Sequence, residues 1–148
     1  MNTLFRRSGL LLIGLLVLSS CGSKTDPNRK ATSPVTGNLT VDGKEPGSPI
    51  KIMCHNLEGM DKKNPTISWS LTDKSGNFSL NTYESGDGVP VGKYALTFLW
   101  GKWNPLSNSY GGKDQLKDRY SEPDESQIQF EVDGSGPVDL GTIALTTK

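Results

Sequence analysis

The sequence has 148 residues, with 16 basic and 16 acidic side chains, one histidine and two cysteines. This length corresponds to one domain with one hydrophobic core. The balanced charge excludes the clustered positive surface that nucleic-acid binding requires, and the single histidine excludes a histidine-rich metal centre. We therefore expect no nucleic-acid partner, no metal and no cofactor.

The amino terminus carries an export signal that ends at a cysteine. Arg6 and Arg7 precede an apolar run over residues 10–18, which is well short of the ~20 residues that a membrane-spanning helix needs. The run closes on Leu-Ser-Ser-Cys at residues 18–21, which resembles the lipobox of bacterial lipoproteins. The resemblance implies cleavage after residue 20 and acylation of Cys21, for example with palmitate. An ordinary signal peptide with an incidental cysteine is the alternative.

A lipidated Cys21 would fix both the location and the redox state of the exported chain. Several acyl chains, at ~0.8 kcal/mol per buried methylene, would hold the protein at a membrane of the bacterial cell envelope. Gly22 follows the cysteine where an Asp would favour the inner membrane, so we expect the outer membrane. Only Cys54 would keep a thiol, which leaves no partner for an intrachain disulfide.

Residues 22–34 contain no large apolar side chain. This composition is typical of a disordered segment, whose root-mean-square span at this length is roughly 20 Å. We therefore predict that residues 21–34 form a lipidated cysteine and flexible tether, and that the folded domain covers residues 35–148.

From Val35 onward the chain alternates apolar and polar residues in short runs separated by Gly, Pro, Asn and Asp, and no stretch has a helical period. The pattern predicts an all-β domain, a seven-stranded antiparallel sandwich of the immunoglobulin-like or transthyretin-like kind. The predicted strands cover residues 35–41, 49–55, 66–71, 77–82, 93–100, 127–132 and 138–145.

The stretch TDKSGNF at residues 72–78 raises the question of a cation site. A calcium loop of the EF-hand type would need Gly at the sixth position and Glu at the twelfth, whereas Gly76 is fourth when Asp73 is taken as the first. Gly76 can supply the positive φ of a tight reversal, and Asp73 can accept backbone N–H bonds across it. We predict a structural turn at Asp73 and Gly76, with no metal.

The same stretch resembles the TDxxGxF corner of carboxypeptidase-regulatory-like domains, a transthyretin-like β-sandwich family. VTGNLTVDGK at residues 35–44, GDGVPVGKY at 86–94 and RYSEP at 119–123 are similar to further motifs of this family, as found in small lipoproteins of planctomycete type. Their order covers most of residues 35–145. The resemblance implies a fold and an envelope location, and it implies no established activity.

Residues 101–126 form a long connection, beyond the ~12 to 15 residues at which structureless loops become uncommon. Trp100, Trp103 and Tyr110 could bind a carbohydrate or peptide ligand there. Alternatively, Trp100 and Leu106 fold back to cover the end of the sandwich while Tyr120 packs, or the segment is disordered. The acidic residues of this connection alternate with basic ones, which indicates a solvated surface.

The inventory of reactive side chains argues against catalysis. His55 and Cys54 are neighbours on a predicted strand, so their side chains point to opposite faces and cannot act on each other. Cys54 shares a face with Ile50 and Ile52, which predicts a small core residue, and His55 then faces outward. We expect no catalytic residue.

Together these patterns predict a noncatalytic, lipid-anchored lipoprotein of the cell envelope whose β-sandwich is a structural or interaction module. Its partners would be the membrane, through Cys21, and an envelope protein or glycan. The alternative is a carbohydrate- or peptide-binding module that uses Trp100, Trp103 and Tyr110.

Overall fold

The computed structural model describes residues 26–104, 106–107 and 109–148. The predicted signal peptide, Cys21 and the first part of the predicted tether lie outside these residues. In the described part the regular structure is β-strand apart from one 3₁₀ turn at Pro123–Glu125, which confirms the all-β class. No helix of that part has the length and apolar character to cross a membrane.

The described residues contain eleven strands, whereas the sequence predicted seven. All seven predicted strands are present, two of them, β2 and β11, with the predicted bounds, and the four additional strands, β1, β6, β8 and β9, are two or three residues long. The strands are β1 (Thr32–Ser33), β2 (Val35–Val41), β3 (Lys51–Asn56), β4 (Ser68–Leu71), β5 (Asn77–Ser79), β6 (Val89–Pro90), β7 (Gly92–Leu99), β8 (Lys102–Asn104), β9 (Ser109–Gly111), β10 (Gln129–Val132) and β11 (Val138–Leu145).

Two larger sheets form the body of the domain. One has four antiparallel strands in the order β10-β7-β3-β4, and the other has three in the order β11-β2-β5. In the second sheet β11 runs parallel to β2, so the prediction of purely antiparallel sheets is wrong at this pair. A register shift between Asp139 and Thr142 interrupts the parallel ladder. The pairs β1–β6 and β8–β9 form two small sheets beside this body.

One hydrophobic core lies between the two larger sheets. Strands of both sheets contribute inward-pointing residues, for example Leu39 of β2, Ile52 of β3 and Leu96 of β7, each at most 1% exposed. Cys54 belongs to the same cluster, which confirms its prediction as a core residue. Because burial of apolar side chains is the main source of stability, this shared layer accounts for the pairing of the sheets in a sandwich-like arrangement.

The turn between β4 and β5 contains Asp73 and Gly76. The Asp73 carboxylate accepts a hydrogen bond from the Asn77 backbone N–H at 2.9 Å and one from the Asn77 amide at 3.0 Å, and these bonds lower its pKa. Gly76 has φ +90°, and a Cβ there would lie 2.0 Å from the Leu39 carbonyl oxygen. Only glycine fits so close to β2, so the turn has a packing role.

Asp114 organises the described part of the long connection around itself. The Asp114 carboxylate accepts N–H bonds from Trp100, Leu116 and Asp118 at 2.8 to 3.0 Å, so it is a buried turn residue and does not belong to a solvated surface as predicted. Leu116 is fully buried, whereas Leu106, predicted to cover the sandwich, is 98% exposed. The segment therefore covers the core through Leu116, because the β8–β9 hairpin carries Leu106 away from it.

Residues 26–33, which we call the strap, contact the domain. The Arg29 guanidinium pairs with Glu84 and Asp87 and lies 4.8 Å from the centre of the Tyr83 ring, while the Lys30 ammonium lies 2.8 Å from the Asp61 carboxylate. Thr32–Ser33 pairs with Val89–Pro90. These contacts join Arg29, Lys30 and residues 32–33 to the domain, so ordered structure is present before Val35.

The strap is held by an ion pair between Lys30 and Asp61 and by the close approach of the Gly88 backbone to Ser33. The pKa of Asp61 is lowered to about 2, chiefly by its hydrogen bond to Lys30. Gly88 has φ +88°, and a Cβ there would lie 1.8 Å from the Ser33 carbonyl oxygen, so a side chain at residue 88 would displace the strap.

Candidate functional site

Strand β4 presents its apolar side chains to solvent and its polar side chains to the interior. Ile67, just before the strand, is 59% exposed and Trp69 is 41% exposed, whereas Ser68 and Ser70 are each 3% exposed. The pattern is the reverse of what burial of apolar surface favours, and large exposed apolar patches usually mark binding surfaces. This reversal is the first sign of a functional face.

The buried polar groups of β4 are each hydrogen-bonded, which makes their burial tolerable. The Ser68 and Thr82 hydroxyls lie 2.7 Å apart, and the Ser70 hydroxyl donates to the Ser79 carbonyl oxygen at 2.7 Å. Directly after β4, the buried Thr72 hydroxyl accepts the Ile50 N–H at 2.9 Å. These bonds connect β4 to neighbouring segments and fix which side of the strand faces outward.

Strand β3 extends the exposed apolar face. In the antiparallel register Met53 is opposite Trp69 and Lys51 is opposite Leu71, so these four side chains lie on the outer face of the sheet. Ile52 and Cys54, between them in sequence, point into the core. The outer face therefore carries a continuous apolar strip along two adjacent strands.

The β8–β9 hairpin forms a wall beside this strip. Trp103 of β8 pairs with Tyr110 of β9, and both side chains line the same groove as the strip. The groove has a volume of about 500 Å³, within the range of ~300–1,000 Å³ that is typical of ligand sites. We call it the aromatic groove, and it is lined by Lys51, Met53, Ile67, Trp69, Leu71, Trp103 and Tyr110.

The Tyr110 ring is fixed by its hydroxyl group. That hydroxyl lies 2.7 Å from the Pro49 carbonyl oxygen and 3.1 Å from the Leu99 carbonyl oxygen, and it accepts the Gly101 N–H at 2.8 Å. Burial raises the pKa of Tyr110. The hydroxyl therefore already has backbone hydrogen-bond partners, and a ligand in the groove would contact only the ring.

Of the three predicted ligand residues, the structure brings Trp103 and Tyr110 together and places Trp100 elsewhere. The Trp100 indole N–H donates to the Ser48 hydroxyl at 2.8 Å, and the ring packs against the hydrophobic core. Trp69 takes its place in the groove. Trp69 was not predicted as a ligand residue, because alternation on β4 places Ile67, Trp69 and Leu71 on one face without showing that this face is the outer one.

A second groove, of about 320 Å³, continues from the first one and shares Met53 and Ile67 with it. Met60 and Val91, both strongly exposed, line it together with His55. The ion pair of Lys30 and Asp61 lies at its rim. The apolar outer face therefore reaches from the β8–β9 hairpin to the strap.

Cys54 and His55 are neighbours on β3, and their side chains point to opposite faces of the strand. The thiol of Cys54 is buried, which raises its pKa to about 12. His55 Nε2 lies 2.8 Å from the Thr97 hydroxyl, and burial lowers the pKa of this histidine. Within the described ranges no three His, Cys, Asp or Glu side chains are grouped so as to hold a metal ion.

Comparison with known proteins yields no family. No model of a protein family matches the chain, and no curated protein sequence is similar to it. Among solved structures, the chain has a distant likeness to a 9R-lipoxygenase from Cyanothece PCC8801, with 16% identity and a TM-score of 0.39 over 82% of this chain and 17% of the lipoxygenase. A likeness this weak carries no argument about function.

Proposed function

We propose that this protein is a noncatalytic, lipid-anchored lipoprotein of the bacterial cell envelope whose β-sandwich binds a partner through the aromatic groove. The anchor rests on the Leu-Ser-Ser-Cys sequence at residues 18–21. The binding role rests on one observation above all, the outward orientation of Ile67 and Trp69 on a strand whose serines are buried. A sandwich with a purely structural role gains nothing from exposing this apolar surface.

The chemistry of the groove supports binding without catalysis. General acid–base catalysis needs a side chain whose pKa is near the working pH and which can reach the substrate. In the lining of the groove the ionisable side chains are Lys51 and Tyr110, and the Tyr110 hydroxyl is held by backbone groups. Two indole rings and a phenol ring can contribute large contact areas to a bound partner.

We further infer that the sandwich is of the transthyretin-like kind found in carboxypeptidase-regulatory-like domains. In support, the family-like stretches lie at corresponding points of the fold. The VTGNLTVDGK stretch at residues 35–44 covers β2 and the turn after it, TDKSGNF at 72–78 is the turn into β5, and GDGVPVGKY at 86–94 leads into β7.

The anchor is tested by metabolic labelling with palmitate in a bacterial host. The wild-type chain should take up the label and fractionate with membranes, and the outer membrane should hold it in a Gram-negative host because Gly22 follows Cys21. Cys21→Ala should take up none. An unlabelled wild-type chain, or a Cys21→Ala chain that still carries label, would show that Cys21 is not the anchor.

The groove is tested by site-specific photo-crosslinking in the intact envelope. Trp103→p-benzoylphenylalanine places the reactive group in the groove, and Thr40→p-benzoylphenylalanine places it on the outer face of the other sheet as a matched control. We expect an adduct of defined mass from residue 103 and none from residue 40. Equal crosslinking at both positions, or none at 103, would contradict binding through the groove.

A further inference from the structure

We propose that the aromatic groove binds a proline-rich peptide segment in the polyproline II conformation, an inference that rests on the proposed binding function. Such segments have three residues per turn, no internal hydrogen bonds and a backbone that is already ordered before binding. They dock in grooves lined by aromatic side chains. The lining of the groove favours this class of ligand over carbohydrates and ordinary extended peptides.

The groove offers hydrogen-bond donors and apolar surface, but its side chains offer no unengaged acceptor. Its donors are the Lys51 ammonium and the indole N–H groups of Trp69 and Trp103, which make no hydrogen bond within the described residues. The Tyr110 oxygen already accepts the Gly101 N–H and lies against two carbonyl groups. The lining contains no carboxylate.

A carbohydrate fits this lining poorly. Every sugar hydroxyl brings a donor as well as acceptors, and a donor buried against Trp69, Trp103 or Lys51 would have no acceptor. An unpaired buried donor costs affinity, so a bound glycan would have to leave most of its hydroxyls in water.

An ordinary extended peptide also fits poorly, because the backbone groups of Trp69 are already hydrogen-bonded within the protein. The Trp69 N–H donates to the Asn81 carbonyl oxygen at 3.0 Å, and the Asn81 N–H donates to the Trp69 carbonyl oxygen at 2.9 Å. A peptide strand added to the sheet would need these same groups. Strand addition beside Trp69 is therefore blocked.

A proline-rich segment has the complementary chemistry. Proline has no backbone N–H, so the segment presents carbonyl acceptors without donors that need a partner. Its rings can pack on the indoles of Trp69 and Trp103 and on the Tyr110 ring, while the indole N–H groups and Lys51 donate to its carbonyl oxygens. The positive charge of Lys51, with no carboxylate in the lining, further favours an acceptor-rich or acidic segment.

The test is titration of tryptophan fluorescence in the full lipidated chain, purified in detergent micelles. The probes are a blocked decaproline peptide, a glycine–serine peptide of equal length and chitotetraose as a glycan. We expect saturable binding of decaproline alone, weakened about tenfold or more by Trp69→Ala and by Trp103→Ala. Leu106→Ala on the same hairpin is the matched control and should leave the dissociation constant unchanged.

Circular dichroism and thermal melting of each variant separate lost binding from lost folding. No saturable response to decaproline, a response shared by the glycine–serine peptide, or equal binding by the Trp69→Ala chain would overturn the proposal. Binding of chitotetraose in place of decaproline, or a dimer that Trp69→Ala dissociates, would overturn it too while leaving the groove as a binding site. Failure of the crosslinking at residue 103 would instead contradict the proposed function itself.

Discussion

The outer faces of the two larger sheets differ sharply, although both sheets contribute to one core. The three-stranded sheet presents polar side chains along β2, β5 and β11, whereas the four-stranded sheet presents an apolar and aromatic strip along β3 and β4. The first face includes Thr36, Asn38, Thr40, Asn77, Ser79, Asp139 and Thr142, with Ala144 as a small apolar member, and the second includes Lys51, Met53, Ile67, Trp69 and Leu71.

The difference shows that the apolar strip does not follow from the demands of folding. An antiparallel sheet commonly packs one face on a core and leaves the other in water with polar side chains, as the three-stranded sheet does with β2 and β5. The four-stranded sheet departs from this rule beside the hairpin that carries Trp103. This departure on one face only, next to the aromatic side chains of the hairpin, is the observation on which the proposed binding role rests.

The first prediction addresses the inner faces, where the two sheets should behave alike. Leu39→Ala in the three-stranded sheet and Ile52→Ala in the four-stranded sheet should each lower the free energy of unfolding by about 2–5 kcal/mol, because both side chains are fully buried in one cluster. Urea denaturation of each variant measures this. A cost below about 1 kcal/mol for either would mean that the sheets do not share the core.

The second prediction addresses the reversal of β4. Ser70→Ala removes a buried hydroxyl that donates to the Ser79 carbonyl oxygen, and it should lower the free energy of unfolding by about 1 kcal/mol. Ile67→Ala should change stability by no more than about 0.5 kcal/mol because Ile67 is largely exposed. The order would be the opposite if Ile67 faced the core, so the same urea experiment decides it.

The third prediction concerns the outer faces. The dye 1-anilinonaphthalene-8-sulfonate should bind the native protein at the apolar strip and lose most of its emission in the double variant Ile67→Thr, Trp69→Ser. Thr36→Ser on the polar outer face is the control and should leave the emission unchanged. Dye emission that survives the double variant would place the exposed apolar surface elsewhere.

The smallest effect should come from His55, which lies on the outer face of β3. Burial lowers its pKa in the folded state below the ~6.5 of an unfolded chain, so its contribution to stability is present above about pH 6.5 and is lost as the pH falls through the folded pKa. The unfolding free energy should therefore decrease from pH 7 to pH 5 more steeply in the wild type than in His55→Gln. Identical slopes would show that His55 does not titrate with folding.

Much of the body of the fold was predictable from alternation and turn residues. The bounds of β2 and β11 follow from apolar residues at every second position. The turn between β4 and β5 follows from Asp73 and Gly76. The parallel pairing of β11 with β2 was not predictable, because the alternation that identifies a strand is the same for either direction of its neighbour.

The candidate site was predictable only in part, since its defining feature depends on distant partners. Trp103 and Tyr110 stand out as aromatic residues in a long connection. The reversal of β4, by contrast, depends on hydrogen bonds from Ser68 to Thr82 and from Ser70 to Ser79, which a strand pattern does not show. The strap was missed for the same reason, because Arg29 finds its partners more than fifty residues away.

The docked strap changes how a membrane-bound domain would move. With the lipid on Cys21, only residues 22–28 would separate the bilayer from the point where Arg29 is fastened. A flexible segment of that length would span roughly 15 Å, compared with roughly 20 Å for a flexible tether that runs to Pro34. The domain would then pivot close to the headgroups about its Arg29 corner, which restricts the directions from which a large partner can approach.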